Sequence, residues 1–123
     1  MSIDTQSVNQ VLLSQKSING KPFLQFDFNG HLNLETAIEA IANWKAQLQD
    51  GKKINLIYNC LAMTGFDTAA RKVWQTTMSE LKHNTGSIWI ISSNAFILGA
   101  AKTMGLLSGY DIKVAKTLEG VKT

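Results

Sequence analysis

The segment from Ile54 to Val73 constrains the fold more than any other part of the chain, because an apolar run there gives way to an amphipathic helix. The run Ile54 to Cys60 shows little alternation, which is typical of an interior parallel strand covered on both faces. The helix opens near Asp67 and Thr68, and its apolar residues recur at helical spacing. A strand that leads into a crossover helix predicts an α/β domain with a mainly parallel sheet.

The chain begins with two strand-like runs, Val8 to Ser17 and Phe23 to Phe28, on either side of Asn19 and Gly20. An Asn-Gly pair suits the positive φ angles of a two-residue hairpin turn. The sequence therefore predicts that the fold opens with an antiparallel β-hairpin.

Three helices are predicted from cap residues and from apolar stripes at helical spacing. The predicted N-terminal caps are, in chain order, Asn33, Asp67, and Ser93 or Asn94. Glycines suited to the left-handed conformation follow the first and third stripes, and these are Gly51 and Gly109. The first and third helices are therefore expected to end at these glycines.

Two further strands are predicted after the Ile54 to Cys60 strand, at Ile88 to Ser92 and at Ile112 to Ala115, and Thr117 opens a short helical stub. The Ile88 strand should be interior, with Trp89 in the core. The predicted order is ββαβαβαβα. We expect one domain over residues 1–123, with a mixed, mainly parallel sheet and helices packed on it.

Composition agrees with one compact domain, because the chain has 123 residues and 45% hydrophobic content. Charged residues make up only 17%, against roughly 25% in average soluble proteins, so the surface is expected to be either rich in Asn, Gln, Ser and Thr or apolar in places. An apolar surface would imply partners. The net charge of +3 comes from 12 basic and 9 acidic residues scattered along the chain. This distribution argues against a nucleic-acid-binding function.

Targeting and cofactor signals are weak throughout. The first ten residues lack the basic and apolar regions of a signal peptide, and the apolar window 95–107 is too short to span a bilayer, so we expect a cytoplasmic protein without a membrane span. Cys60 is the only cysteine, which excludes an intramolecular disulfide. His31 and His83 have no companion at metal-ligand spacing, so no metal or other cofactor is predicted.

The stretch GFDTAARKV, Gly65 to Val73, together with the element order, resembles the STAS domains and, within them, the SpoIIAA-like group related to anti-sigma-factor antagonists. The resemblance covers nearly the whole chain. It aligns Asp67 with the family's aspartate and Thr68 with the serine that a partner kinase phosphorylates, whereas Ala69, Ala70 and Arg71 depart from the pattern. It implies a regulatory or ligand-binding module rather than a defined enzyme.

Asp67 and Thr68 have two interpretations. Asp67 is expected to cap the second helix, and Thr68 to be an exposed residue of its first turn. Alternatively, the pair forms a phospho-switch or anion site, since a phosphate on Thr68 would add about two negative charges where the helix dipole favours them.

The predicted helix from Ala95 to Leu107 carries more apolar residues than one sheet face can bury. The surplus predicts an interface, either with a protein partner or in a homodimer. The residues assigned to that interface are Phe96, Leu98, Ala101 and Leu106, with Leu98 and Ala101 projecting away from a core stripe of Ile97, Ala100 and Met104. The alternative is that the N-terminal hairpin or the C-terminal stub covers this face.

No set of acid, base and nucleophile can be assembled from the predicted strand ends, so no catalytic residues are assigned. We therefore predict a non-enzymatic regulatory protein that acts through protein contacts. The alternative is a binding module for a small apolar or lipid-like ligand. The aromatic residues available to line its pocket are Trp44, Trp74, Trp89, Phe66 and Phe96, although packing in the core is the simpler explanation for them.

Overall fold

A computed structural model describes residues 9–121, and within them six strands form one sheet. The strands are β1 (Gln10–Ile18), β2 (Lys21–Leu32), β3 (Ile54–Asn59), β4 (Met63–Phe66), β5 (Thr85–Ile91) and β6 (Ile112–Ala115). The helices are α1 (Leu34–Ala46), α2 (Thr68–Glu80) and α3 (Ala95–Ser108), and short 3-10 turns span Lys82–Asn84 and Leu118–Gly120. The strand order is β1-β2-β3-β5-β6, with β4 paired to β2. The predicted mixed, mainly parallel α/β sheet is confirmed.

The β1–β2 hairpin is the antiparallel part of the sheet, and every other strand pair is parallel. Asn19 and Gly20 form the turn with φ angles of 52° and 81°, as a turn with two positive φ angles requires. The predicted hairpin is thereby confirmed, although Val8, the predicted first strand residue, lies outside the described residues.

Strand β4 is an element that the sequence analysis missed. The twelve-residue β2 pairs with β3 along its first half and with β4 along its second half, with a register shift between Gly30 and His31. Met63 to Phe66 is short and lacks an apolar run, so the sequence pattern did not predict a strand there. Its pairing brings the start of α2 against the end of β2.

Helix α1 begins as predicted, because the side chain of Asn33 accepts a hydrogen bond of 2.8 Å from the Thr36 amide. It does not end at Gly51. The helix stops at Ala46, and Gly51 has a φ of 72° in the turn before β3. The predicted helix was too long because Leu48, at helical spacing, packs against the core from the loop.

All three helices contribute to one core, on one face of the sheet, which contains the aromatic side chains of Phe26, Phe28, Trp44, Tyr58 and Trp74. A smaller cluster of Phe23, Ile57, Ile91 and Val121 lies on the other face and contains no residue of α1, α2 or α3. The interior strands therefore have buried residues on both faces, as predicted, but the three helices contribute to the core on one face only. Trp89 belongs to the face of the smaller cluster, where it is half-buried beneath the Lys113 ammonium, 5.8 Å from the ring centre.

Candidate functional site

The start of α2 lies beside the end of β2 because β4 runs parallel to β2. The backbone N–H of Asp67 donates to the Leu32 carbonyl at 2.9 Å. This backbone contact places the Asp67 carboxylate beside the His31 ring, with 2.7 Å between Oδ1 and Nε2. The two side chains are 53% and 43% exposed, respectively, so the pair is accessible from solvent.

Asp67 occupies the N-cap position of α2, but its side chain accepts no hydrogen bond from the helix amides. The prediction that it caps the helix is therefore right about position and wrong about bonding, since its carboxylate is bonded to His31 instead. The sequence predicted no role for His31, which has no companion at metal-ligand spacing. Its role could not be read from the sequence because it depends on the unforeseen β2–β4 pairing.

Thr68 is the first residue of α2 and is exposed, as predicted. Since the Asp67 side chain does not cap the helix, the amides of the first turn keep their partial positive charge. An anion placed on or near Thr68 is thereby favoured electrostatically.

Helix α3 begins with a fully bonded cap. The Asn94 side chain accepts from the amides of Phe96 at 2.9 Å and Ile97 at 3.2 Å. The helix ends at Gly109, whose φ of 83° is left-handed, as predicted. Of the two predicted caps, Asn94 rather than Ser93 serves α3.

The predicted interface on α3 is partly corrected. Phe96 and Leu106 are 71% and 78% exposed, and Leu107, which was not assigned, is 65% exposed. Ala101 is buried and Leu98 is partly buried against the core. The reason is the rotation of the helix, whose buried stripe consists of Ile97, Ala101, Gly105 and Ser108.

A pair of stacked phenylalanines links the two regions. The rings of Phe66, which precedes Asp67, and Phe96 in the first turn of α3 are parallel within 10° with centroids 5.6 Å apart. The polar start of α2 and the exposed apolar residues of α3 are thus neighbouring parts of one surface. We refer to His31, Asp67, Thr68, Phe96, Leu106 and Leu107 as the α2–α3 surface.

Behind this surface, a cavity lies between the sheet, α2 and α3. The cavity volume that the centre of a water-sized sphere can reach is about 40 Å³. Its wall is almost entirely apolar, with Arg71, Tyr58 and Cys60 as the residues that carry other chemistry. Of the aromatic residues named for the pocket alternative, Phe66 and Trp74 line the cavity, whereas Trp44, Trp89 and Phe96 do not. Tyr58 and Arg71 were not identified as cavity residues.

Burial keeps the Cys60 thiol and the Tyr58 hydroxyl of the cavity in their neutral, protonated forms. Burial raises the pKa of the Cys60 thiol to about 12, so this cysteine is neither a nucleophile nor a metal ligand at neutral pH. Burial likewise raises the pKa of the Tyr58 hydroxyl far above its usual value. In residues 9–121 no group of three or more acidic, histidine or cysteine side chains is placed to hold a metal ion.

Comparison with known proteins gives similarity at the level of structure. No protein-family model and no curated protein matches the chain. The fold is similar to that of an uncharacterised DUF3478-family protein with a SpoIIAA-like fold from Shewanella loihica PV-4, with a TM-score of 0.78, 13% identity, and coverage of 97% of this chain and 94% of that one. It is also similar to the anti-sigma factor antagonist SpoIIAA in its unphosphorylated form, with a TM-score of 0.59, 10% identity, and coverage of 88% and 91%.

These similarities establish that the chain has the SpoIIAA-like fold, as the sequence resemblance predicted. At 10% and 13% identity they establish the fold alone. No helix among residues 9–121 is both long enough and apolar enough to cross a membrane.

Proposed function

We propose that this protein is a non-enzymatic regulatory module of the cytoplasm that acts by binding another protein through the α2–α3 surface. The observation that carries the proposal is the position of Thr68. It is exposed at the start of an α2 that lacks a side-chain cap, two residues after Phe66, whose ring stacks on the exposed Phe96 of α3. A polar centre flanked by large exposed apolar side chains is typical of a protein-binding surface.

The fold neighbour SpoIIAA supports the regulatory part of the proposal, since it is an anti-sigma factor antagonist whose structure is of the unphosphorylated form. We infer that Thr68 is the corresponding modification site here. A phosphate at Thr68 would meet the uncapped amides of α2 and would bring about two negative charges to the centre of the surface. Binding of a partner would change with that charge.

A second copy of the chain is the alternative partner that we propose for the apolar part of the surface. Phe96, Leu106 and Leu107 are exposed on one helix, and two-fold dimers are the commonest assemblies of soluble proteins. Light scattering of wild type and Leu106→Glu at several concentrations separates the two partners. A concentration-dependent dimer that the variant abolishes would assign the apolar residues to self-association. A protein that stays monomeric at every concentration would assign them to contact with a different protein.

The proposal is tested by capturing partners from the source cell with the wild type, Thr68→Ala and Thr68→Glu. Thr76→Glu is the matched control, because Thr76 is an exposed threonine two turns further along α2. We expect Thr68→Glu to change recovery of a specific partner at least several-fold, while Thr68→Ala and Thr76→Glu behave like the wild type. Equal recovery of the partner with all four proteins would refute the phospho-switch. If Leu106→Glu alone loses the partner, the α2–α3 surface binds it but Thr68 does not regulate that binding.

A further inference from the structure

The cavity behind the α2–α3 surface contains a hydroxyl group whose hydrogen has no acceptor. Tyr58 lines the cavity, and its hydroxyl is fully buried. The Trp74 indole N–H is placed to donate to the hydroxyl oxygen, but no group in the described part of the chain accepts the hydroxyl hydrogen. The neighbouring indole of Trp74 offers only an N–H donor, so it cannot accept the hydroxyl hydrogen. Buried polar groups without a partner are rare and costly, and a native one calls for an explanation.

Tyr110 provides the internal comparison. Its hydroxyl is also buried, but it donates to the Met78 carbonyl at 2.9 Å. The backbone thus provides an acceptor for the Tyr110 hydroxyl. The Tyr58 hydroxyl, in the wall of the cavity, has none.

Arg71 is the second polar group in the cavity wall. It is half-buried, and its guanidinium takes part in no ion pair or side-chain hydrogen bond within residues 9–121. The carboxylate one helical turn earlier, on Asp67, is bonded to His31 instead. A guanidinium without a carboxylate partner favours a ligand that brings its own carboxylate.

The remaining wall restricts the ligand further. It is formed by apolar side chains from the sheet, α2 and α3, among them Phe28, Ile90, Ile97 and Met104. The room of about 40 Å³ exceeds the roughly 10–15 Å³ that one water needs, so a chain of a few carbon atoms has space. The Cys60 thiol is protonated at neutral pH and adds no negative charge.

We propose that this cavity is a binding site for a small carboxylic acid with a short apolar chain. The chain packs among the apolar side chains, and the carboxylate accepts hydrogen bonds from the Tyr58 hydroxyl and the Arg71 guanidinium. Ligand and Tyr58 then satisfy each other, which explains why the free protein keeps a buried donor with no acceptor. This site does not depend on the proposed regulatory function, since it uses neither Thr68 nor the exposed residues of α3.

The test is titration of the purified protein with acetate, butyrate, hexanoate and octanoate, followed by amide chemical shifts or calorimetry. We expect saturable one-to-one binding with an optimum at an intermediate chain length. Equal-length alcohols should bind at least tenfold more weakly, because they lack the charge that Arg71 pairs with. A structure determined with the best-binding acid should show it in the cavity.

Two variants test the assigned contacts. Tyr58→Phe and Arg71→Gln should each weaken binding of the best acid about tenfold or more. Tyr58→Phe should lower the thermal midpoint of the ligand-free protein less than Tyr110→Phe does, since it removes a buried hydroxyl whose hydrogen has no acceptor. Tyr110→Phe is the matched control, which should lower the midpoint and leave the affinity of the folded protein unchanged.

Failure of every acid to bind would overturn the proposal, as would a structure with only water in the cavity. Binding that survives both Tyr58→Phe and Arg71→Gln would equally overturn it, because the acid would then occupy another place. If Tyr58→Phe does not fold, Arg71→Gln alone decides the assignment. Thr68→Glu should bind the acid like the wild type, so failure of this site and failure of the regulatory switch give different results.

Discussion

Helices α2 and α3 border the same cavity, yet they pack on the sheet by opposite means. Helix α2 buries large side chains, Trp74 and Met78, and Trp74 contacts four other aromatic rings. Helix α3 buries small residues, Ala101 and Gly105, beside Ile97 and keeps Phe96 in solvent.

The first turns of α2 and α3 also differ in how they are capped. The Asn94 side chain accepts two amide hydrogen bonds of α3, whereas the Asp67 side chain, at the same position of α2, is bonded to His31. Helix α2 is therefore stabilised by its core contacts and has a free first turn, while α3 is stabilised at its ends and has a free outer face. The residues available for binding are therefore those that contribute little to folding, in the first turn of α2 and on the outer face of α3.

The largest effect is expected at the core contacts of α2. Trp74→Ala should lower the free energy of unfolding by about 3–5 kcal/mol, because it removes a buried indole and leaves a cavity. Urea denaturation followed by circular dichroism measures this loss. Phe96→Ala is the control on α3, and it should stay within about 0.5 kcal/mol of the wild type. Similar losses of unfolding free energy for both variants would show that Phe96 contributes to folding as much as Trp74 does.

The close packing of α3 is tested by two glycines of that helix. A Cβ atom at Gly105 would overlap the Ile112 side chain, whereas one at Gly99 would meet nothing within 4 Å. Gly105→Ala should therefore destabilise the protein by about 1–3 kcal/mol despite its better helix propensity. Gly99→Ala should stabilise it by up to about 1 kcal/mol, since it gains the propensity alone. Thermal unfolding of both variants tests this difference. Stabilisation by both substitutions would mean that α3 does not approach β6 closely.

The helix starts provide the third comparison. Asn94→Ala should cost about 1 kcal/mol, because two amides of α3 lose their acceptor. Asp67→Ala should cost about 0.5 kcal/mol, since it removes only a half-exposed charge near a helix dipole and the bond to His31. Chemical denaturation at neutral pH compares them, and a larger loss for Asp67→Ala would show that this carboxylate caps α2 after all.

The smallest effect is expected at Thr68. Thr68→Glu should change stability by no more than about 0.5 kcal/mol, and in the stabilising direction, because a negative charge is favourable in the first turn of a helix. Repeating the measurement in high salt should remove the gain. A clear loss of stability would mean that the free first turn of α2 does not tolerate an anion, which would also weaken the case for phosphorylation.

Much of this fold follows from local sequence signals. Asn19-Gly20, Asn33, Asn94 and Gly109 mark a turn and three helix ends correctly, because each of these residues acts on backbone within a few positions of itself. Interior strands β3 and β5 are likewise visible as apolar runs.

The features that were missed depend on distant parts of the chain. Strand β4 forms only by pairing with β2, and the bond between His31 and Asp67 follows from that pairing. The rotation of α3, which buries Ala101, is set by how closely Gly105 approaches Ile112, and hydrophobic periodicity cannot resolve it in a helix with apolar residues on most sides. The cavity and the Tyr58 hydroxyl without an acceptor depend on tertiary packing and have no sequence signature.

The position of Cys60 has a practical consequence. It is the only thiol in the chain, it borders the cavity, and it is unreactive while buried. Its rate of alkylation therefore measures how often the layer between α3 and the sheet opens, without any label having to be introduced. A molecule held in the cavity would slow that reaction, so the native protein carries its own reporter of occupancy.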